Sequence, residues 1–429
     1  MMLRRVTGGQ VQATRFCALD DQTLEQAGAL VRRVEREGVR AVRELAERFG
    51  ERKHGEALVL GKDAMRAALE AMDAEDRACL ERTAKRIERF AQAQLGSIRA
   101  LDTAIEGGRA GHTLACVRSA GCYVPAGRSP LPSTALMTAV TARVAGCERV
   151  VVASPGAHPT VLAACAIAGV DEVLAVGGAQ AIAAMAYGFG REATADASSG
   201  KGFEACDVIV GPGNRWVTAA KQLVSSAVGI DMPAGPSELL VIADETADAA
   251  VVAADLLAQA EHDTDARAML VTTSAVLADA VDEQLRVQMA TLPTRATAQA
   301  GLANGFACVV ESIEEAVRVS DRVGPEHLEV MTRDAEAVAK RVRNAGGVFI
   351  GEAAAEVLGD YGAGPNHTLP TGGTARFRAG LSVMHFLRLR TWMQIDDASS
   401  AAGLVADAER LARMEGLCGH ERSAAKRRL

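Results

Sequence analysis

VVVASPGAHPTVLAACAIAGVDEVLAV, residues 150–176, holds a strand, a helix and a second strand in one short run. Val150-Val-Val-Ala153 is a β-branched strand, and Pro155 and Gly156 break it. His158 to Ala168 reads as a helix, and Val173-Leu-Ala-Val176 as the next strand. The same unit recurs downstream. A helix near Gln180 to Tyr187 leads to a strand at Val208-Ile-Val210 and a helix near Asn214 to Ser225. The pattern restarts at Leu239-Leu-Val-Ile-Ala243, with a helix near Ala249 to His262 and a strand at Ala268 to Thr272. Such alternation implies parallel strands joined by crossover helices. The expectation is an α/β fold of two incomplete Rossmann-like domains with parallel sheets, Ala234-Gly-Pro236 being the crossover between them.

Upstream, residues from about Thr23 to Leu95 read as helices. Leu24, Ala27, Leu30, Val31 and Val34 recur at helical spacing, Gly38 sits where that helix is open to interruption, and Asp73 suits an N-cap. Gly190 to Gly202 is small and polar and reads as a surface loop. The last fifty residues run from Leu381 through a helix near Leu404 to Met414 and into a polar tail.

Composition narrows the function. At 429 residues the chain exceeds one ordinary core, so two or more domains are expected. Aromatics are only 3%, which argues against a base-stacking surface, and a net charge of −7 with interspersed signs offers no basic stripe for nucleic acid. Lys426-Arg-Arg428 is short and reads as a solvated tail. Nine scattered cysteines, odd in number and without a C-x-x-C pair, read as reduced thiols of a cytoplasmic protein. No stretch reaches the roughly 20 apolar residues of a membrane span, and Met1 to Gly9 lacks the apolar core of a secretory signal.

Several polar residues stand out against this background. Gln259 and His262 are three apart on an expected helix, so they share a face and can share a small ion; a helix end with a capping His is the plainer reading. Glu326 and His327 are adjacent after Pro325, which suits proton transfer, or a solvated turn. Asp360 beside Gly359 reads alone as a turn residue, His367 as a loop hydrogen-bonder, and His420 as an exposed side chain. Gly211-Pro-Gly-Asn214 opens a helix after a strand, the context of a phosphate turn, yet it lacks the third glycine of the dinucleotide fingerprint.

Taken in order, Gly121-Cys-Tyr-Val-Pro-Ala-Gly127, Gly177-Gly-Ala-Gln-Ala-Ile182, Gly211-Pro-Gly-Asn214, Ala234-Gly-Pro-Ser-Glu238, Gln259-Ala-Glu-His262, Gly324-Pro-Glu-His-Leu-Glu329, Asp360 to Pro370 and Glu415-Gly-Leu-Cys-Gly-His420 resemble the histidinol dehydrogenase family. The resemblance runs from about Ala120 to Leu429. It implies a zinc- and NAD-dependent oxidation of L-histidinol through L-histidinal to L-histidine, in histidine biosynthesis. It implies one Zn²⁺ per subunit on Gln259, His262, Asp360 and His420, and Glu326 and His327 as the catalytic pair. Substrate contacts would be Ser237, Gln259, His262, His327, Asp360, His367, Glu415 and His420, and NAD contacts Tyr123, Gln180 and Asn214. It also implies a homodimer whose tail completes the partner's site. The expected organisation is therefore an N-terminal segment at 1–22, a first α/β domain of 23–120 with 237–380 carrying metal and bases, an NAD-binding α/β domain at 121–236, and a dimerisation tail at 381–429. No nucleic acid or membrane partner is expected.

The chain departs from many members of that family at Asp263, at Pro365 and in the enlarged 190–202 loop. The alternative is a paralogous zinc/NAD dehydrogenase for another small polar alcohol, such as a sulfonated diol. A non-catalytic nucleotide- or metal-binding protein is the rival of another class. Within an aldehyde-oxidising enzyme, a thiohemiacetal on Cys116 or Cys122 is the rival mechanism.

Overall fold

The computed structural model describes residues 3–11, 19–126, 130–190, 202–232 and 234–428. Their architecture is two six-stranded sheets, wound largely parallel, and one three-stranded antiparallel sheet. The strand–helix units around residues 150–176 fall in the first sheet, whose order is Val59–Leu60, Glu172–Leu174, Arg149–Ala153, Ser119–Tyr123, Val208–Val210 and Gly229–Ile230. All its pairs are parallel except the edge strand Val59–Leu60. The second sheet is parallel throughout, in the order Arg5–Val6, Phe306–Val309, Arg267–Thr272, Glu238–Ala243, His327–Met331 and Gly347–Ile350.

Both sheets share one winding. From the strand that opens each unit (Ser119–Tyr123, Glu238–Ala243) two strands add on one side, and the chain then crosses back to add two on the other. That reversal is the switch point where open α/β sheets bind ligands. The central strands are buried along their whole length because helices cover both faces. Helix Pro132–Ala145 shows how small residues allow this: proline starts it, Gly146 at φ 104° ends it, and its Ala, Thr and Val side chains pack closely on every side.

The upstream helices form as expected, with Gly38 (φ 56°) separating Asp21–Glu37 from Val39–Arg48 and Asp73 capping Ala74–Ser97. Their packing corrects the expected grouping of 23–120 with 237–380. Val31, Val34, Val42 and Leu45 share a core with Val151, Leu174, Ile182 and Ile209 of the first sheet and its helices. On the other face, Ala84, Ile87 and Ala91 join Leu136, Val140 and Val152. The apolar stripes of these helices are thus spent on the first sheet. Arg5–Val6, in the segment expected to stand apart, is an edge strand of the second.

The antiparallel sheet was not foreseen. Leu101–Ile105, Gly108–Cys116 and Leu387–Ile395 form an arm in the order Leu387–Ile395, Gly108–Cys116, Leu101–Ile105. Beyond it, helices Ala402–Met414 and Cys418–Ala425 pack on each other. The arm and tail leave apolar side chains in the open, among them Leu389 (62% exposed), Met393 (66%), Leu411 (54%) and Met414 (66%). The expected 190–202 loop lies almost wholly outside the described residues. No helix among those described is long and apolar enough to cross a membrane.

Candidate active site

Gly324, in the left-handed region at φ 60°, stops helix Ile313–Val323, and Pro325 turns the chain into strand His327–Met331. Glu326 and His327 therefore stand at the amino edge of the second sheet, beside Ser237 and Glu238, with His327 in register with Leu239. Glu326 is buried. Its Oε2 accepts from the Ser237 hydroxyl at 2.7 Å and the Glu238 N–H at 3.0 Å. Burial pushes its carboxyl up to about 8, more than those two bonds pull it down.

His327 is buried with it, and burial pushes the imidazole down to about 4. Nδ1 lies 3.2 Å from the Glu238 carbonyl, so the neutral ring carries its proton there and donates it. Nε2 then presents a lone pair, and it is buried without a partner. Asp360 Oδ1 lies 3.8 Å from it.

Helix Ala249–Ala260 brings Gln259 in its last turn and His262 just beyond, on one face as their spacing requires. His262 Nδ1 bonds the Ala258 carbonyl at 3.0 Å, which aims Nε2 at Asp360 Oδ2, 3.3 Å away. Asp360 pushes His262 up to about 9. Burial works to raise the Asp360 carboxyl, but the His262 contact and the neighbouring imidazoles outweigh it and hold it below its ordinary value.

Asp360 ends the short helix Glu356–Asp360, which places Glu356 one turn earlier on the same side. Glu356 is buried, and its carboxyl is pushed well up by burial and then by Asp360, Glu329 and Glu326. With its amide nitrogen turned inward, Gln259 donates to both Glu356 oxygens at 3.0 and 3.3 Å. His262, Glu356 and Asp360 each offer a ligand atom, all within 4.8 Å of one another. Imidazole, carboxylate and carboxamide donors beside the orphaned His327 Nε2 fit a catalytic zinc with room for substrate, rather than a closed thiolate site.

His367 reaches the same place from the Gly364–Thr368 loop. Nδ1 bonds the Asp360 carbonyl at 3.0 Å, and Nε2 lies 3.2 Å from the hydroxyl of Thr134, on a helix of the first sheet. The cavity in front of His327, Asp360 and His367 is about 270 Å³ and is also lined by Phe90, Gln94 and Ser382. Phe90 and Gln94 come to it from helix Ala74–Ser97 of the first sheet's core, and Gly347, Val348 and Phe349 from the edge strand of the second sheet.

Ser237, Gln259, His262, Glu326, His327, Asp360 and His367 are thus gathered in one subunit. Glu415 and His420 are not: both are exposed on the tail, around a separate surface hollow with Leu411 and Leu417. Sequence reasoning missed Glu356, Glu238 and Thr134. The Glu356–Asp360 spacing of one helical turn is the signal by which the first could have been found, once Asp360 is taken as a ligand.

Tyr123, Gln180 and Asn214 cluster at the carboxyl ends of the first sheet. The Tyr123 hydroxyl accepts the Gly178 N–H at 3.0 Å, and Asn214 Oδ1 caps helix Arg215–Val224 through the Trp216 and Val217 amides at 3.0 and 3.2 Å. Gly211 sits at φ 115°, where a side chain would collide with the Tyr123 carbonyl. Its N–H donates to Asp231 at 2.7 Å and its carbonyl accepts from Lys221 at 2.9 Å, and these two buried side chains pair with each other. The turn is therefore rigid before any ligand arrives.

Neither cysteine rival is a ready nucleophile. Burial pushes the Cys122 thiol up to about 12 and raises that of Cys116, which lies 3.6 Å from Cys147.

A neutral buried imidazole, a buried carboxyl, an oxygen- and nitrogen-rich donor set and a Rossmann-like sheet together define a metal-assisted, nucleotide-dependent dehydrogenase. The chain belongs to the histidinol dehydrogenase family, whose model matches residues 15–428. It is 44% identical to histidinol dehydrogenase of Cereibacter sphaeroides over 389 residues, 89% of this chain and 87% of that one. It is likewise 44% identical to the Thermus thermophilus enzyme over 370 residues, 86% of each chain. The crystal structure of histidinol dehydrogenase from Elizabethkingia anophelis superposes with a TM-score of 0.89 at 30% identity, covering 99% of this chain and 98% of that one. The family uses NAD and Zn²⁺. The relatives compared are all named for histidinol, so the sulfonated-diol reading gains no support.

Proposed function

We propose that this chain oxidises L-histidinol to L-histidine through L-histidinal in two NAD-dependent steps, with Glu326 and His327 as its bases. The observation that carries the assignment of roles is the buried pair itself, His327 held neutral as an acceptor at a cavity of small-molecule size and Glu326 a buried carboxyl next to it in the chain.

In the first step His327 Nε2 accepts the hydroxyl proton as hydride passes from the carbinol carbon to NAD. In the second, Glu326 takes a proton from water, whose oxygen adds to the aldehyde carbon, and a second hydride leaves. One alcohol, one water and two NAD give one carboxylate, two NADH and three protons. Gln259, His262 and Asp360, with His420 of the partner subunit, would hold zinc, which would supply Lewis acidity toward the substrate oxygen. Glu356 takes the Gln259 amide nitrogen and so turns the carboxamide oxygen away from itself, to face the Ser237 hydroxyl at 3.3 Å. Ser237 and Thr134 fix Glu326 and His367.

Glu415 and His420 reach this site from a second copy. The large apolar side chains left exposed on arm and tail, Leu411 and Leu417 around one hollow with Glu415 and His420, support such a homodimer, in which a second copy covers them. The free thiols among the described residues favour a cytoplasmic setting.

The test is stoichiometry. With limiting L-histidinol, two NADH and one L-histidine should form per substrate. One NADH per substrate with free aldehyde accumulating, or turnover of other polar alcohols but not histidinol, contradicts the proposal.

A further inference from the structure

Glu51 lies just past helix Val39–Arg48, far in sequence from the residues assigned to the cofactor. Its Oε2 accepts the Gly177 N–H at 3.1 Å and the Gln180 amide at 3.4 Å. The adjacent Gly178 N–H is the one that donates to Tyr123. Glu51 therefore touches one expected cofactor contact directly and is one peptide from the partner of another. A Cβ on Gly177 would collide with Pro155 and lie 2.9 Å from Glu51 Oε1, so the carboxylate and that proline are packed together. Pro155 follows strand Arg149–Ala153 after one residue, Ser154. The carboxylate thus stands between the carboxyl end of the third strand, whose following loop it bonds, and that of the second. Dinucleotide-binding folds put there the acidic side chain that takes the ribose 2′-hydroxyl.

Two further observations bear on a ligand. Both hydrogen bonds of the carboxylate fall on Oε2, which leaves Oε1 to accept another. Burial raises the Glu51 carboxyl and the Gly177 and Gln180 bonds lower it, with no guanidinium or ammonium acting on it. Arg52, its neighbour in the chain, is turned to Glu56 at 3.4 Å.

We propose that Glu51 accepts the adenosine ribose 2′-hydroxyl of NAD and excludes the 2′-phosphate of NADP. The proposal rests on the cofactor site at Tyr123, Gln180 and Asn214. A hydroxyl donates a proton to Oε1. A phosphate dianion has none to give and meets an uncompensated negative charge. A Glu51 that only ties its loop to Gly177 would be indifferent to which dinucleotide binds.

The experiment is calorimetric binding of ADP-ribose, 2′-deoxy-ADP-ribose and 2′-phospho-ADP-ribose to the zinc-loaded protein at pH 9. Wild type should bind ADP-ribose at least tenfold more tightly than either analogue. Glu51→Gln should narrow the preference over the phosphorylated analogue at least tenfold, and the NADP-to-NAD ratio of kcat/KM should follow. The deoxy comparison uses wild type alone, so it stands even if the variant does not fold. Equal affinity for ADP-ribose and its deoxy analogue, or a Glu51→Gln protein that weakens all three equally, overturns the proposal. Gln180→Ala separates the two readings. If it changes no affinity, the cofactor site itself is misplaced. If it weakens binding while Glu51→Gln leaves the preference intact, only the role of Glu51 falls.

Discussion

Glu326 and His327 are neighbours in the chain, and the same burial pushes their proton affinities in opposite directions. Burial disfavours whichever form is charged, so the carboxyl holds its proton up to about 8 and the imidazole refuses one until about 4. This division predicts separable half-reactions. Glu326→Gln should slow aldehyde oxidation by on the order of 10²–10⁴ and alcohol oxidation far less, because only the aldehyde needs an activated water. Histidinol and histidinal assayed separately will tell; equal losses in both count against the role. The sign of the pH dependence follows too. Glu326 can take a proton only when ionised, so kcat/KM for histidinal should climb with pH along a limb at about 8 or below. A bound cation favours the carboxylate and can only lower that limb. His327, neutral above about 4, adds no second limb between pH 5 and 8. A rate that falls from pH 6 to pH 8 contradicts both assignments.

The element that carries Asp360 is only one turn long, and its seat is a second pair of carboxyls. Glu329, inside strand His327–Met331, accepts the Glu356 backbone N–H at 2.7 Å. Glu329 Oε2 and Asp255 Oδ2, the latter on helix Ala249–Ala260, are both buried without a partner, and each carboxyl acts on the other, so one proton held between them would satisfy both. Burial raises both carboxyls. Their contribution to stability is therefore complete at or below the ordinary carboxyl range and lost as pH rises through the elevated folded values. In chelator-treated protein the urea midpoint should fall from pH 5 to pH 9, and Glu329→Gln should flatten that fall; an equally steep fall in the variant would show that the pair is not its source. Such elements also show what a sequence discloses. The strand–helix alternation was legible because strands buried on both faces are written as unbroken β-branched runs, such as Val150-Val-Val-Ala153. The arm was not, because Leu387–Ile395 exposes both faces and mixes Arg388 and Arg390 with Leu389 and Met393. The docking of the upstream helices was misjudged because an apolar stripe shows that a helix packs, not on which sheet. Adjacent residues such as Glu326 and His327 announced themselves. Glu356 did not, since only the fold brings it beside Gln259.

At the scale of the molecule, the second sheet places its chemistry at the amino ends of its strands, while the expected cofactor residues sit at the carboxyl ends of the first. Helix Ala74–Ser97 belongs to the first sheet's core yet lends Phe90 and Gln94 to the cavity, so the two sheets must hold a fixed relation for turnover. The donor set predicts full dependence on metal. Exhaustive chelation should abolish activity and Zn²⁺ restore it, and full activity in protein shown by elemental analysis to be metal-free would remove the ion from the account. The central claim is that one copy's Glu326, His327, His262 and Asp360 act with another copy's Glu415 and His420. Its most direct test mixes two inactive chains, His327→Asn and His420→Ala, unfolded and refolded together. Half of randomly paired dimers are mixed, and each then has one site with an intact body and an intact tail, so about a quarter of all sites should recover. If the tail serves its own subunit, every site keeps a lesion. Activity no higher than that of the separate variants, with mixed dimers shown to be present, would contradict the shared site.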